Sequence, residues 1–257
     1  MKRRVKSLTA FTISGTDGEL GKVNEFYFDD QSWTIRYLIV ETGSWLSGRK
    51  VLLSPQAVVN TDWDQEIFSV NLTMEQIKNS PLIDTHKPVS RQHEQGLYGY
   101  YPWGEYYWGG LGLTGMAMGM SYPIGVHPTA QKEEDLAVED HSDDDNHLRS
   151  TEKVTGYNIK ATDGNIGDVE DFIINDSNWS IEFMLVDTGN WFPGKKVLIS
   201  PKWIKEINWE QSTVMVDASE EQVKNSPEYD ATKFMTDDYE ANLQNYYGRF
   251  ISHKQIP

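Results

Sequence analysis

The chain contains no cysteine. That absence excludes disulfide frameworks, thiol nucleophiles, thiolate zinc sites and cysteine-ligated iron–sulfur clusters together. Basic charge is scarce as well: 23 Lys and Arg stand against 39 Asp and Glu, a formal net charge of −16. A nucleic-acid surface needs the opposite balance, because its affinity comes from cations that displace condensed counterions, so no nucleic-acid partner is expected. The opening Met1-Lys2-Arg3-Arg4-Val5-Lys6 is basic but leads into Ser7-Leu8-Thr9-Ala10-Phe11-Thr12 rather than an apolar run. No secretory leader is read there, and the cytoplasm is the expected address. Residues 106–126 carry no charge and reach the length of a bilayer crossing, but glycines, a proline, a threonine and a serine dilute them. They read as a flexible Gly/aromatic/Met segment, not a transmembrane span.

What is present supports packed cores. The chain has 257 residues, 38% of them hydrophobic and 12% aromatic, which suits two ordinary domains and excludes a wholly disordered chain. Sliding the sequence by 146 residues aligns 9–81 with 155–227 without a gap, at about 30 identities in 73 positions. Thr16-Asp17-Gly18-Glu19-Leu20-Gly21-Lys22-Val23 returns as Thr162-Asp163-Gly164-Asn165-Ile166-Gly167-Asp168-Val169. Val40-Glu41-Thr42-Gly43-Ser44-Trp45 returns as Val186-Asp187-Thr188-Gly189-Asn190-Trp191, and Lys50-Val51-Leu52-Leu53-Ser54-Pro55 as Lys196-Val197-Leu198-Ile199-Ser200-Pro201. This period is too long for a solenoid, whose units run about 20–50 residues, so each copy is a domain. The domains are read as 5–101 and 151–250, each a barrel with trailing helices. A linker at 102–150, Gly/Tyr/Trp/Met-rich and then acidic, is expected to be partly disordered. The second copy and the linker carry most of the negative charge, so the copies share a core but present different electrostatic faces.

Within each copy, short β-branched and aromatic runs dominate. Strands are expected at 20–28, 34–41, 51–53, 57–61 and 67–70 and at their counterparts, with turn residues between them, giving a mostly β fold of two small antiparallel barrels. The period then changes. Thr73-Met74-Glu75-Gln76 and Ser219-Glu220-Glu221-Gln222 are capping boxes, and the short helices they open stop at Asn79-Ser80-Pro81 and Asn225-Ser226-Pro227. A second helix is expected at 90–101 and 236–247. In the latter Tyr239, Leu243, Tyr246 and Tyr247 share one face.

In combination, Thr-Asp-Gly-x-hydrophobic-Gly-x-Val, Val-x-Thr-Gly-x-Trp and Lys-Val-Leu-hydrophobic-Ser-Pro resemble the PRC-barrel family, in both copies, over roughly residues 5–81 and 151–227. That family includes the cytoplasmic part of the photosynthetic reaction-centre H subunit and the C-terminal barrel of a ribosome maturation factor. The resemblance implies a small β-barrel used for protein docking, without catalytic machinery. The H subunit's transmembrane helix and the ribosome factor's RNA-associated domain have no counterpart within these 257 residues.

Chemistry-bearing motifs are weak. Ser54 and Ser200 precede proline and lack the glycine elbow of a catalytic serine. Gly109-Gly110-Leu111-Gly112 lacks the strand, the Gly-Lys-Ser/Thr and the helix of a phosphate cradle. No histidine is shared between the copies, so a symmetric catalytic site is not expected. His141-Ser142-Asp143-Asp144-Asp145-Asn146-His147 offers oxygen and imidazole ligands, but without an EF-hand's glycine and terminal glutamate it reads as a solvated acidic tether. Shared polar residues such as Asp17/Asp163, Asp30/Asp176, Lys50/Lys196 and Ser54/Ser200 read as turn chemistry. No catalytic residue, metal or cofactor is expected. The interaction candidates are Trp45, Leu46, Trp191 and Phe192, read as exposed aromatics and apolar residues on a loop tip at the barrel rim. The expected role is a non-enzymatic protein-interaction scaffold, with self-association natural for a duplicated barrel. The alternative is an H-subunit-like accessory part of a membrane electron-transfer complex, peripherally attached.

Overall fold

The computed structural model describes residues 1–81, 100–101, 147–189, 195–230 and 235–249. Two sheets of seven strands each organise them. In repeat 1 the longest strand, β3 (Glu19–Asp29), is flanked by β2 (Thr12–Ser14) and β4 (Thr34–Glu41), and β5 (Lys50–Leu53), β6 (Val58–Asp62) and β7 (Ile67–Val70) complete the order β5-β4-β3-β2-β7-β6. Repeat 2 copies it with β9 (Asn158–Lys160), β10 (Asn165–Asn175), β11 (Ile181–Asp187), β12 (Lys196–Ile199), β13 (Ile204–Asn208) and β14 (Thr213–Val216). Phe26, Phe28, Tyr37, Phe68, Phe172 and Phe183 are among the largest fully buried side chains, and they fill the inward face of these strands.

The mostly β fold of two repeated units is as the sequence suggests, with one parallel pairing in each where only antiparallel ones are expected. Neither sheet closes between its end strands, and β2 pairs with β7, and β9 with β14, in parallel. The end strands of each sheet are joined through a single 3-10 turn that opens on Pro55 or Pro201 and is capped by the side chain of Ser54 or Ser200.

Each repeat also lends a strand to the other. β1 (Lys2–Arg4) pairs antiparallel with β10 of repeat 2, Arg3 opposite Ile174, and β8 (Leu148–Ser150) pairs with β3 of repeat 1, Arg149 opposite Phe28. These two registers are related by the same 146-residue offset as the sequences, so the exchange follows a pseudo-two-fold axis. Its cause is legible in β3. The strand outruns β2, and its last residues, Tyr27–Asp29, would otherwise leave an apolar strand edge unpaired.

The β3–β4 and β10–β11 turns meet on the same axis. Ile35 N–H donates to Trp179 O at 2.9 Å and Ile181 N–H to Trp33 O at 2.7 Å. Trp33 and Trp179 hold φ of 53° and 60°, a region unfavourable for residues with a Cβ and fixed here by bonds from both sides. Trp179 reaches repeat 1, 6.3 Å from the Phe26 ring and 5.7 Å from that of Phe68, and Phe28 meets Phe172 at 5.6 Å. The core is therefore continuous across the repeats.

Helices follow each sheet. α1 (Met74–Lys78) opens on the capping box of Thr73 and Gln76. α2 (Thr151–Val154) follows β8 directly, and α3 (Glu220–Lys224) opens on the box of Ser219 and Gln222. Asp17 and Asp163, expected to serve their own turns, instead accept the first helical N–H of α1 and α3, from Met74 at 2.9 Å and Glu220 at 2.8 Å. The expected aromatic helix is α4 (Asp237–Gly248), with Leu243 and Tyr247 fully buried and Tyr247 stacked on Trp203 at 4.2 Å. Of its expected counterpart at 90–101 only Tyr100 and Tyr101 are described; of the linker expected at 102–150 only 147–150 are described, and Leu148–Ser150 there is the strand β8. Among the described residues no helix is long and apolar enough to cross a membrane.

Candidate functional site

The loop singled out from the sequence follows β4. Gly43–Leu46 forms one 3-10 turn, Ser47 adopts the left-handed conformation at its end, and Gly48 N–H returns to Gly43 O at 2.6 Å. Thr42 ties the loop's base through its hydroxyl, which donates to Arg49 O at 2.9 Å. Arg49 in turn donates to the carbonyls of Lys78 and Pro81, both at 3.0 Å, and to Ser80, placing a cation at the C-terminal end of α1. Lys195 does the same for α3 through the carbonyls of Lys224 and Ser226.

Trp45 is half-buried rather than an open loop aromatic. Its indole N–H donates to Leu20 O at 3.0 Å, and the ring packs with Leu46 against the core. The indole needs an acceptor once it is partly covered, and the carbonyl of Leu20 supplies one. The rest of the ring lines a groove of about 430 Å³ together with Glu19, Lys22, Glu41 and Ser44. Gly21 forms its floor: a Cβ there would stand 2.1 Å from Glu41 O, so the close approach of β3 to β4 requires glycine, as it does at Gly167 against Asp187 O. The base of the matching loop in repeat 2 is described, with Thr188 donating to Lys195 O at 2.9 Å, but Trp191 and Phe192 lie outside the described residues.

Sequence reasoning missed Arg3 and Arg149. Each lies on an exchanged strand between an aspartate of the other repeat and a tryptophan of its own. Arg3 Nε donates to Asp176 at 3.2 Å with its guanidinium 3.9 Å from the Trp63 ring centre, and Arg149 Nε donates to Asp30 at 2.7 Å, 4.1 Å from Trp209. Asp30 and Asp176, read as turn residues, are thus anchors for a guest strand. His147, read within the acidic tether, binds Asp30 through Nδ1 at 3.0 Å. The signal was available, since the 146-residue offset extends upstream of Thr9 and Thr155 without a gap and pairs the two arginines.

No group of three or more metal-binding side chains occurs among the described residues, and nothing in the Trp45 groove pairs a nucleophile with a base. What the groove offers is a half-buried aromatic beside acidic and basic side chains. A search of curated proteins finds no match. The family model described as PRC-barrel domain matches residues 3–71 and 153–223, more than half of the chain, and thereby both repeats. The chain belongs to the PRC-barrel domain family, as a tandem pair.

Proposed function

We propose that this protein is a non-enzymatic scaffold of the cytoplasm that holds partner proteins at the rims of its two barrels. The observation that carries the reading is the reciprocal exchange of β1 and β8, which joins the repeats into one pseudo-symmetric body. A duplicated docking module gains from such rigidity, because a second partner meets a site already placed by the first. The Trp45 groove, with Glu19, Lys22 and Glu41 around the ring, is the docking surface of repeat 1.

The experiment is capture from native lysate with its membrane fraction retained, comparing the wild type with Ser44→Arg. Ser44 is exposed and lines the groove without anchoring the loop, so the variant keeps its melting temperature. Loss of a defined partner in the variant alone supports the reading. Equal recovery in both, or no partner beyond the chain itself, overturns it. A partner that arrives with membranes would assign the scaffold to a membrane complex.

A further inference from the structure

A cavity of about 220 Å³ lies on the pseudo-two-fold axis, reached by Asn24 and Glu25 of β3, Asp171 and Phe172 of β10, and Glu152 and Lys6 from the starts of the repeats. Equivalent positions across the axis are Arg4 and Ser150, Glu170 and Asn24, Asp171 and Glu25.

On the repeat 2 side the set is complete. Arg4 donates Nε to Asp171 at 2.8 Å and Nη2 to Glu170 at 3.2 Å, and Lys6 N–H and Phe172 N–H satisfy the other Asp171 oxygen at 3.1 and 2.8 Å. A bulge lies at Val169–Asp171, matched by one at Val23–Glu25. Such bulges turn neighbouring side chains toward one side.

On the repeat 1 side both acceptor positions are kept and the guanidinium is missing. Ser150 replaces Arg4, and its hydroxyl is the one hydrogen-bond donor to Glu25 among the described residues. Glu25 is 7% exposed, and Asn24 Oδ1 is buried with no hydrogen-bond partner. Burial raises the Glu25 carboxyl above its ordinary pKa, with Glu152 adding to the rise, while the Ser150 hydrogen bond and the more distant charges of Lys50 and Lys153 offset it only in part. Val5 and Phe172 add apolar wall, and Glu152 puts a second anion near the mouth, with Lys6 opposing it.

We propose that this cavity binds a small organic cation bearing N–H donors, an alkyl guanidinium or primary amine, whose head group takes against Glu25 and Asn24 the place Arg4 takes against Asp171 and Glu170. The stem lies along Val5 and Phe172. A guanidinium matches two acceptors at once through its planar fork, which an aqueous metal ion or a quaternary amine does not.

The test is isothermal titration calorimetry of the full chain with agmatine, with tetramethylammonium as a cation that has no N–H. Saturable 1:1 binding of agmatine is expected, with tetramethylammonium weaker by about tenfold or more, one such step being the least that a lost directional bond produces. Ser150→Arg supplies the missing guanidinium from within and is expected to abolish agmatine binding, the new ion pair being set against the lost Ser150 cap on Lys153 N–H. Should that variant fold poorly, Asn24→Leu, which removes the unpartnered acceptor, is expected to weaken agmatine by about tenfold. Absence of saturable binding, equal binding of both cations, or full agmatine affinity in a folded Ser150→Arg or Asn24→Leu protein would overturn the proposal.

Discussion

The two repeats grip their guest strands with different chemistry. Repeat 2 holds β1 through charge: Arg4 bridges Asp171 and Glu170, and Lys196 joins Arg4 on Glu170 Oε1 at 2.6 Å. Repeat 1 holds β8 through hydroxyls: Ser150 binds Glu25, and Thr151 both donates to Phe26 O at 3.1 Å and accepts from Phe26 N–H at 3.3 Å. Lys2 adds ion pairs to Glu182 and Glu240 where its counterpart is the buried Leu148, whereas Arg3 and Arg149 are common to both, in matched sandwiches of aspartate and tryptophan. The common contacts therefore specify the exchange, and the residues nearest the axis vary around it. A second contrast lies at the helices, where Trp203 meets Tyr247 in repeat 2 and its counterpart in repeat 1 is Ala57.

The largest effect expected from breaking this comparison comes from the shared core. Phe26→Ala and Phe172→Ala each remove a fully buried ring at equivalent positions, and each should cost about 3–5 kcal/mol in urea unfolding. Because each ring contacts an aromatic of the other repeat, either variant should lower the stability of both repeats in one transition. A variant that unfolds only its own repeat would separate the halves.

Arg4→Ser converts the charged grip into the hydroxyl one while leaving the shorter Asp171 in place. Asp171 is 1% exposed, and removing its cation strands a buried carboxylate, a loss of about 3 kcal/mol. Ser150→Ala, the reciprocal change, removes a hydroxyl donor to Glu25 and the cap that accepts Lys153 N–H, so about 1–2 kcal/mol is expected. Equal costs for the two variants would erase the distinction between the grips.

Thr73→Ala and Ser219→Ala sharpen the comparison from the side of likeness. Both residues complete a capping box, and each loss should be about 1 kcal/mol and the same in both repeats. These boxes show what the sequence made legible: short-range patterns with a local cause. The strand runs from Thr34 and Ile67, the helix stops at Pro81 and Pro227, and the aromatic face of α4 belong to the same class. The three-residue strands β2 and β9 were missed, since so few residues cannot display an alternation. The exchange of β1 and β8 was missed for a deeper reason. A strand's partner is chosen by an unpaired edge elsewhere, here the end of β3 or β10, and nothing within Lys2–Arg4 names it. The site was half legible. Its loop lies where turn residues and the Thr-Gly-x-Trp motif put it, but the carbonyl of Leu20 that draws Trp45 inward is a tertiary contact.

The smallest expected effect is a difference in pH dependence. Glu25's pKa is raised in the folded chain, by burial first, so the folded state holds this proton more tightly than the unfolded one. The stability this gives is fully present below the ordinary carboxylate pKa and is lost as pH rises through the raised value. Thermal scans of wild type against Glu25→Gln should therefore converge at the acid end and separate above it, with the variant the more stable. Parallel curves across that window would show that Glu25 meets no charge penalty in the fold.

The central claim is that strand exchange makes one folded body of two repeats. It is tested most directly by placing a protease site within residues 102–146, cleaving it, and following size and unfolding of the product. The account predicts that the cleaved halves co-elute as a 1:1 complex and unfold in a single transition. Halves that separate on the column and unfold independently, each with its barrel intact, would contradict it.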